Sequence, residues 1–154
     1  PKVVDVVPSA RTERATWRFT TQKPAADWFR PGFDAGSWKE GSGGFGTRGT
    51  PGAVVRTEWN TENIWLRREF SLSGVTARED LRLLVHHDED AVVYINGVVA
   101  TVLPGYTSDY EVVTIREPAL ATLKPTGNVL AVHCRQTAGG QYIDVGLVRL
   151  EMPR

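Results

Sequence analysis

Ala91-Val92-Val93-Tyr94-Ile95-Asn96-Gly97-Val98-Val99-Ala100-Thr101-Val102-Leu103 is the stretch that decides the fold. Two apolar, β-branched runs flank the pair Asn96-Gly97. A two-residue loop closes a hairpin best as a type I′ turn, and Asn and Gly are the residues that accept its positive φ angles. Just upstream, residues 81–87 alternate, which puts Leu81, Leu83, Val85 and His87 on one side. Residues 64–70 alternate as well: Ile64, Leu66 and Phe70 share a side, with Arg68 an exception among them, and Trp65, Arg67 and Glu69 share the other. Residues 16–20, 110–116, 128–136 and 143–151 repeat the pattern, while helical periodicity is nearly absent. About eight strands separated by Gly- and Pro-rich turns predict an all-β antiparallel sandwich of the jelly-roll type.

The 154 residues suit one domain, 1–154, with a substantial core. Eighteen basic and eighteen acidic residues cancel, so the positive footprint of a nucleic-acid binder is missing. No apolar run approaches the roughly 18–20 residues that span a bilayer, which argues against membrane insertion. A single cysteine, Cys134, rules out an internal disulfide and a multi-cysteine zinc site. The chain opens on Pro1 without methionine or signal peptide, which suggests a mature or excised module of a longer protein.

Between residues 23 and 61 the pattern lapses into a long irregular stretch rich in Gly, Pro and Asn. Such a stretch in a compact domain either packs its own side chains or has a function. All five tryptophans lie within the first 65 residues. Trp17, Trp38 and Trp65 lie in or beside strand patterns and are expected in the core; Trp28 suits either a core or a loop anchor. Residues 34–38 form a tight turn that delivers Trp38, with Asp34 and Ser37 able to bond turn amides.

Six segments occur in a recognisable order: Trp28; Phe33-Asp34-Ala35-Gly36-Ser37-Trp38; Gly43-Gly44-Phe45-Gly46; Ile64-Trp65-Leu66-Arg67-Arg68-Glu69-Phe70; Tyr94-Ile95-Asn96-Gly97; and Gly127-Asn128-Val129-Leu130-Ala131-Val132. Together they resemble the galactose-binding-domain-like jelly roll, especially the sugar-binding domain at the front of glycoside hydrolase family 2 enzymes. The stretch from His133 to Gly146 also resembles accessory modules of large bacterial polysaccharide-degrading proteins. The resemblance covers nearly the whole chain. It implies a non-catalytic, extracellular or periplasmic module whose partners are an oligo- or polysaccharide and a catalytic domain in the same chain. The superfamily also contains modules that only brace a neighbouring catalytic domain, and that alternative stays open, because fold does not settle function.

Sugar recognition needs an aromatic face for the CH side of a pyranose and planar polar groups for its hydroxyls. The loops offer Arg48, Arg56, Glu58 and Trp59 in the long connection, Tyr106 and Asp109 after the hairpin, and Arg135 and Gln141 around Gly139-Gly140. Trp59 serves either a site or loop packing.

Enzymatic readings fare worse. Asp88, Glu89, Asp90 and Glu58 carry no recognisable glycosidase signature around a carboxylate pair. His133 and Cys134 are adjacent in a strand and point apart, and no nucleophile elbow occurs. The cluster His86-His87-Asp88-Glu89-Asp90 cannot aim both histidines at one ion. Asp88 and Asp90 share a face, and a structural calcium is the one cofactor that pair would suit, although none is required.

Overall fold

In the computed structural model, which describes residues 1–74 and 77–154, twelve strands form two six-stranded sheets packed face to face. In chain order they are β1 (Lys2–Val7), β2 (Thr16–Thr20), β3 (Lys39–Ser42), β4 (Phe45–Gly46), β5 (Thr57–Glu58), β6 (Asn63–Phe70), β7 (Leu81–Asp88), β8 (Asp90–Ile95), β9 (Val98–Leu103), β10 (Glu111–Thr114), β11 (Asn128–Arg135) and β12 (Tyr142–Glu151), with a short α-helical turn, α1 (Glu117–Leu120), and a 3-10 turn at Arg78–Asp80. One sheet runs β3-β2-β6-β11-β8-β9. The other runs β10-β7-β12-β4-β5, and β1 also pairs with β12. Every pairing is antiparallel except β4 with β5. The sandwich read from the sequence is therefore present, with β1 and the short β3, β4 and β5 added to the expected strands. No helix among the described residues is long and apolar enough to cross a membrane.

The alternation explains the core. Leu81, Leu83 and Val85 of β7 and Ile143, Val145 and Leu147 of β12 face Ile64, Leu66 and Phe70 of β6 and Leu130, Val132 and Cys134 of β11. Burial pushes the Cys134 thiol well up, which leaves it an inert core group at neutral pH.

A second, smaller apolar layer covers the outer face of the β6/β11 sheet. Trp28, Trp65 and Ala131 are buried there with Phe29, Phe33, Trp38 and Tyr94 packed against them. Residues 25–38 reach this position through successive turns, including Trp28 N–H to Ala25 C=O at 3.1 Å and Trp38 N–H to Ala35 C=O at 3.0 Å. The irregular stretch thus packs its own side chains. Trp28 anchors it, while Trp38 stays half-buried at its rim instead of entering the main core as expected.

The decisive hairpin forms as read, with φ of 50° at Asn96 and 82° at Gly97. Asn96 does more than turn the chain. Its Nδ2 donates to Thr122 C=O and Asn128 Oδ1, both at 3.0 Å, and its Oδ1 accepts Val129 N–H at 2.8 Å. Replacing Asn96 by alanine will cost about 2–3 kcal/mol in urea unfolding, from lost hydrogen bonds and a strained positive φ. Asn96→Gly removes the same bonds without the strain, so an equal loss in both variants would refute the backbone part of this account.

Candidate functional site

The loops carrying most of the sequence candidates gather at one end of the sandwich and bind one another. Gln141 N–H donates to Thr50 Oγ1 at 3.0 Å, and Gln141 Nε2 donates to Thr61 C=O at 2.6 Å. Thr107 N–H reaches His87 C=O at 2.8 Å, and Ala138 N–H reaches Glu89 Oε1 at 2.7 Å. The Gly44 turn lies so close to the 47–56 loop that a Cβ there would collide with the Val54 carbonyl oxygen.

This interlocking reassigns several candidates. Gln141 is buried and bonded as above, so it positions loops. Arg56 donates from Nε and Nη2 to Ala10 C=O at 3.1 and 2.6 Å, tying the 47–56 loop to the segment after β1. Asp109 accepts its neighbour's amide, Tyr110 N–H, at 2.7 Å, and Arg135 lies 3.5 Å from Glu62 on the surface. Arg48 is exposed, and Tyr106 is 70% exposed. These residues share an end of the molecule without converging on one pocket.

The largest correction concerns Trp59, which is 2% exposed and belongs to the main core. Its indole N–H donates to Thr61 Oγ1 at 3.0 Å. The reason is local: β5 is two residues long, and Trp59 N–H bonds to Gly46 C=O, which turns the ring inward under β4. Trp59 therefore cannot offer its face to a ligand.

Trp38 can. It lines a cleft of about 420 Å³ together with Phe19, Gln22, Lys39, Glu58 and Asn60, and Trp59 contributes to its wall. Trp38 and Phe19 are both half-buried, and Trp38 is braced by Phe33 at a centroid distance of 5.7 Å. Among the described residues the side chains of Gln22, Lys39, Glu58 and Asn60 have no hydrogen bond or ion pair within the chain, so their polar groups are available. Of the sequence candidates, only Glu58 and Trp59 line this cleft. Trp38, Phe19, Gln22, Lys39 and Asn60 were not read as site residues; they come from three separate stretches of the sequence that only the pairing of β2 with β3 and the course of the chain after β5 bring together.

The opposite surface of the β7/β12 sheet holds a buried polar cluster. Asp144 is 2% exposed, and its Oδ2 accepts Ala10 N–H at 2.8 Å and Tyr110 O–H at 2.6 Å. Tyr110 and Tyr142 hydroxyls lie 2.8 Å apart, and Tyr142 O–H donates to Val54 C=O at 2.9 Å. Burial raises the Asp144 carboxyl above the usual carboxylate range, with the Tyr110 hydrogen bond opposing it. His86, fully buried beside both tyrosine rings, is pulled below the usual imidazole range by the same desolvation. These groups brace the N-terminal segment and the 47–56 loop against β12.

The Asp88/Asp90 pair does not make a calcium site by itself. Asp90 Oδ1 is held by Gly105 N–H at 2.6 Å, and desolvation followed by the neighbouring Glu89 raises the buried Asp88 carboxyl. Among the described residues no three His, Cys, Asp or Glu side chains assemble around one point, whereas calcium takes six to eight oxygens.

No family model matches the chain, and no curated protein does. Solved structures do. A glycosyl hydrolase family 2 member from Bacteroides cellulosilyticus aligns with 86% of this chain at 14% identity and a TM-score of 0.56, over 20% of its own length. Bacteroides uniformis β-glucuronidase aligns with 90% at 22% identity and a TM-score of 0.55, over 18% of its length. A β-glucuronidase from an uncultured Clostridium sp. aligns with 96% at 12% identity and a TM-score of 0.56, over 29% of its length. At these identities the likeness establishes a shared sandwich fold, and this chain spans less than a third of each of those proteins.

Proposed function

We propose that this chain is a non-catalytic accessory module of an extracellular or periplasmic glycoside hydrolase, and that it binds an oligo- or polysaccharide in the cleft beside Trp38. One observation carries the binding half: the half-buried Trp38 and Phe19 share a cleft with the unbonded side chains of Gln22, Lys39, Glu58 and Asn60. An aromatic wall takes the apolar face of a pyranose, and the amides, carboxylate and ammonium bond its hydroxyls. The accessory half is supported by likeness to a small part of much longer glycosyl hydrolase chains.

Calorimetric titration with a panel of plant, algal and animal polysaccharides tests the reading. Trp38→Ala will weaken the binding by about 1–3 kcal/mol, the range for losing an aromatic anchor. Because Trp38 lies outside the main core, its loss will lower Tm far less than a core tryptophan would. Silence across the panel, or unchanged affinity in Trp38→Ala, would overturn the assignment.

The second reading, a brace for the catalytic domain, is favoured by a different observation: Arg56, Trp59 and Gln141 serve the module's own packing. It expects no sugar binding and a higher Tm for the hydrolase with the module than without it.

A further inference from the structure

The β6/β11 sheet contains a gap. β2 pairs with β6 only at Arg18↔Arg67, Phe19↔Leu66 and Thr20↔Trp65, although β2 starts at Thr16 and β6 continues to Phe70. Where the strands part, a cleft of about 530 Å³ opens, lined by Trp17, Phe33 and three arginines, Arg18, Arg67 and Arg68. The Trp38 cleft is separate: the two share no lining residue.

The three guanidinium groups are in different states. Arg18 pairs with Glu40 at 3.1 Å. Arg67 donates to the Trp28 and Arg30 carbonyls at 2.8 Å each. Arg68 comes from the inner face, where it was the exception to the apolar pattern, and lies with its guanidinium carbon 5.5 Å from the Trp17 ring centroid. Its Nε and Nη1 are buried and have no hydrogen-bond partner among the described residues. Asp144 and Glu13 act on its charge from a distance, yet neither forms an ion pair with it. Buried donors are nearly always satisfied, and an orphan costs about 1–3 kcal/mol. Turning the side-chain end toward the mouth of the cleft would break no hydrogen bond of these two nitrogens. Of the acidic groups on the rim, Glu40 is already paired with Arg18, and Asp34 Oδ1 accepts Gly36 N–H at 2.8 Å. Glu69 remains, with Arg67 beside it as its charge partner.

We propose that this cleft binds a compact carboxylate, such as that of an acidic sugar, with Arg68 as its recognition group and Phe33 and Trp17 as its apolar wall. A carboxylate supplies the planar, two-oxygen acceptor that a guanidinium fork matches. The site stands independently of the Trp38 cleft.

The test follows the Arg68 Nε–H and Trp17 indole N–H signals of the ¹⁵N-labelled protein during separate titrations with galacturonate, acetate and galactose. Galacturonate will shift both signals saturably, acetate will shift the Arg68 signal, and galactose will shift neither. Arg68→Gln will weaken galacturonate binding at least tenfold. No response to either carboxylate, or an equal response to galactose and galacturonate, overturns the proposal. The wild-type signals decide it even if Arg68→Gln fails to fold.

Discussion

Arg67→Ala will lower the unfolding free energy by about 3–5 kcal/mol, a large share of the roughly 5–15 kcal/mol that holds a domain together. Arg67 is buried on the outer face of β6, between the sheet and residues 28–33. Its Nη1 donates to the Trp28 and Arg30 carbonyls at 2.8 Å, its Nη2 reaches the Phe33 carbonyl at 3.3 Å, and its guanidinium lies over the Phe33 ring at 5.5 Å. Truncation leaves buried carbonyls without donors and opens a void beneath the aromatic layer. Arg67→Lys keeps the charge but loses the planar fork, so its cost will be intermediate. Urea unfolding gives the energies, and limited proteolysis gives the location. Cleavage confined to residues 23–38 is the expected result, and unchanged protection there would overturn the account. Because that segment ends at Trp38, Arg67→Ala will also abolish the sugar binding proposed for the Trp38 cleft.

Asp144→Ala will be comparably severe, about 3–5 kcal/mol. It removes the acceptor of the Ala10 amide and the Tyr110 hydroxyl, as well as a negative charge that acts on Arg68. Asp144→Asn keeps an acceptor and will cost much less. The pH dependence separates packing from charge. The Asp144 carboxyl titrates higher when folded than when unfolded, so its ionisation opposes folding. That opposition is complete above the raised folded pKa, and it is relieved as pH falls through that value toward the unfolded carboxylate value of 3.8. His86 acts in the reverse sense: its folded pKa is lowered, so stability declines as pH falls below its unfolded value of 6.5. Asp144→Asn will remove the acid-side relief and leave the histidine-linked decline. An unchanged pH profile in that variant would show that the carboxyl is not desolvated as described.

Alternation made the long strands legible. In β6, β7, β8, β11 and β12 the main-core residues recur at every second position, Arg68 apart, and Asn96-Gly97 marked the hairpin. β4 and β5 are too short for any period to appear, so nothing in the sequence around residues 45–59 said which way a ring would point. Trp59, open between a site and loop packing, is consequently buried in the core, and Trp38, expected in the core, is half-buried beside the second apolar layer. Arg68 broke the apolar pattern visibly; its cause, a gap between strands, depends on where β2 departs from β6. β1 escaped notice because its pattern of exposed and buried residues is mixed and its partner, β12, lies at the other end of the sequence.

That last pairing bears on how the molecule is made. β12 is the common neighbour of β1, β4 and β7, and Lys2 stands opposite Glu151. β1 therefore has no partner, and β4 and β7 each lack one neighbour, until β12 has been synthesised and has cleared the ribosome. Until then β7 and β1 expose edges that other chains could pair with, and contacts of such long sequence separation close slowly. Circular permutants of the module that link β12 to β1 and open the chain at residues 105–109, placing β12 before β1 in synthesis, would shorten that exposed interval.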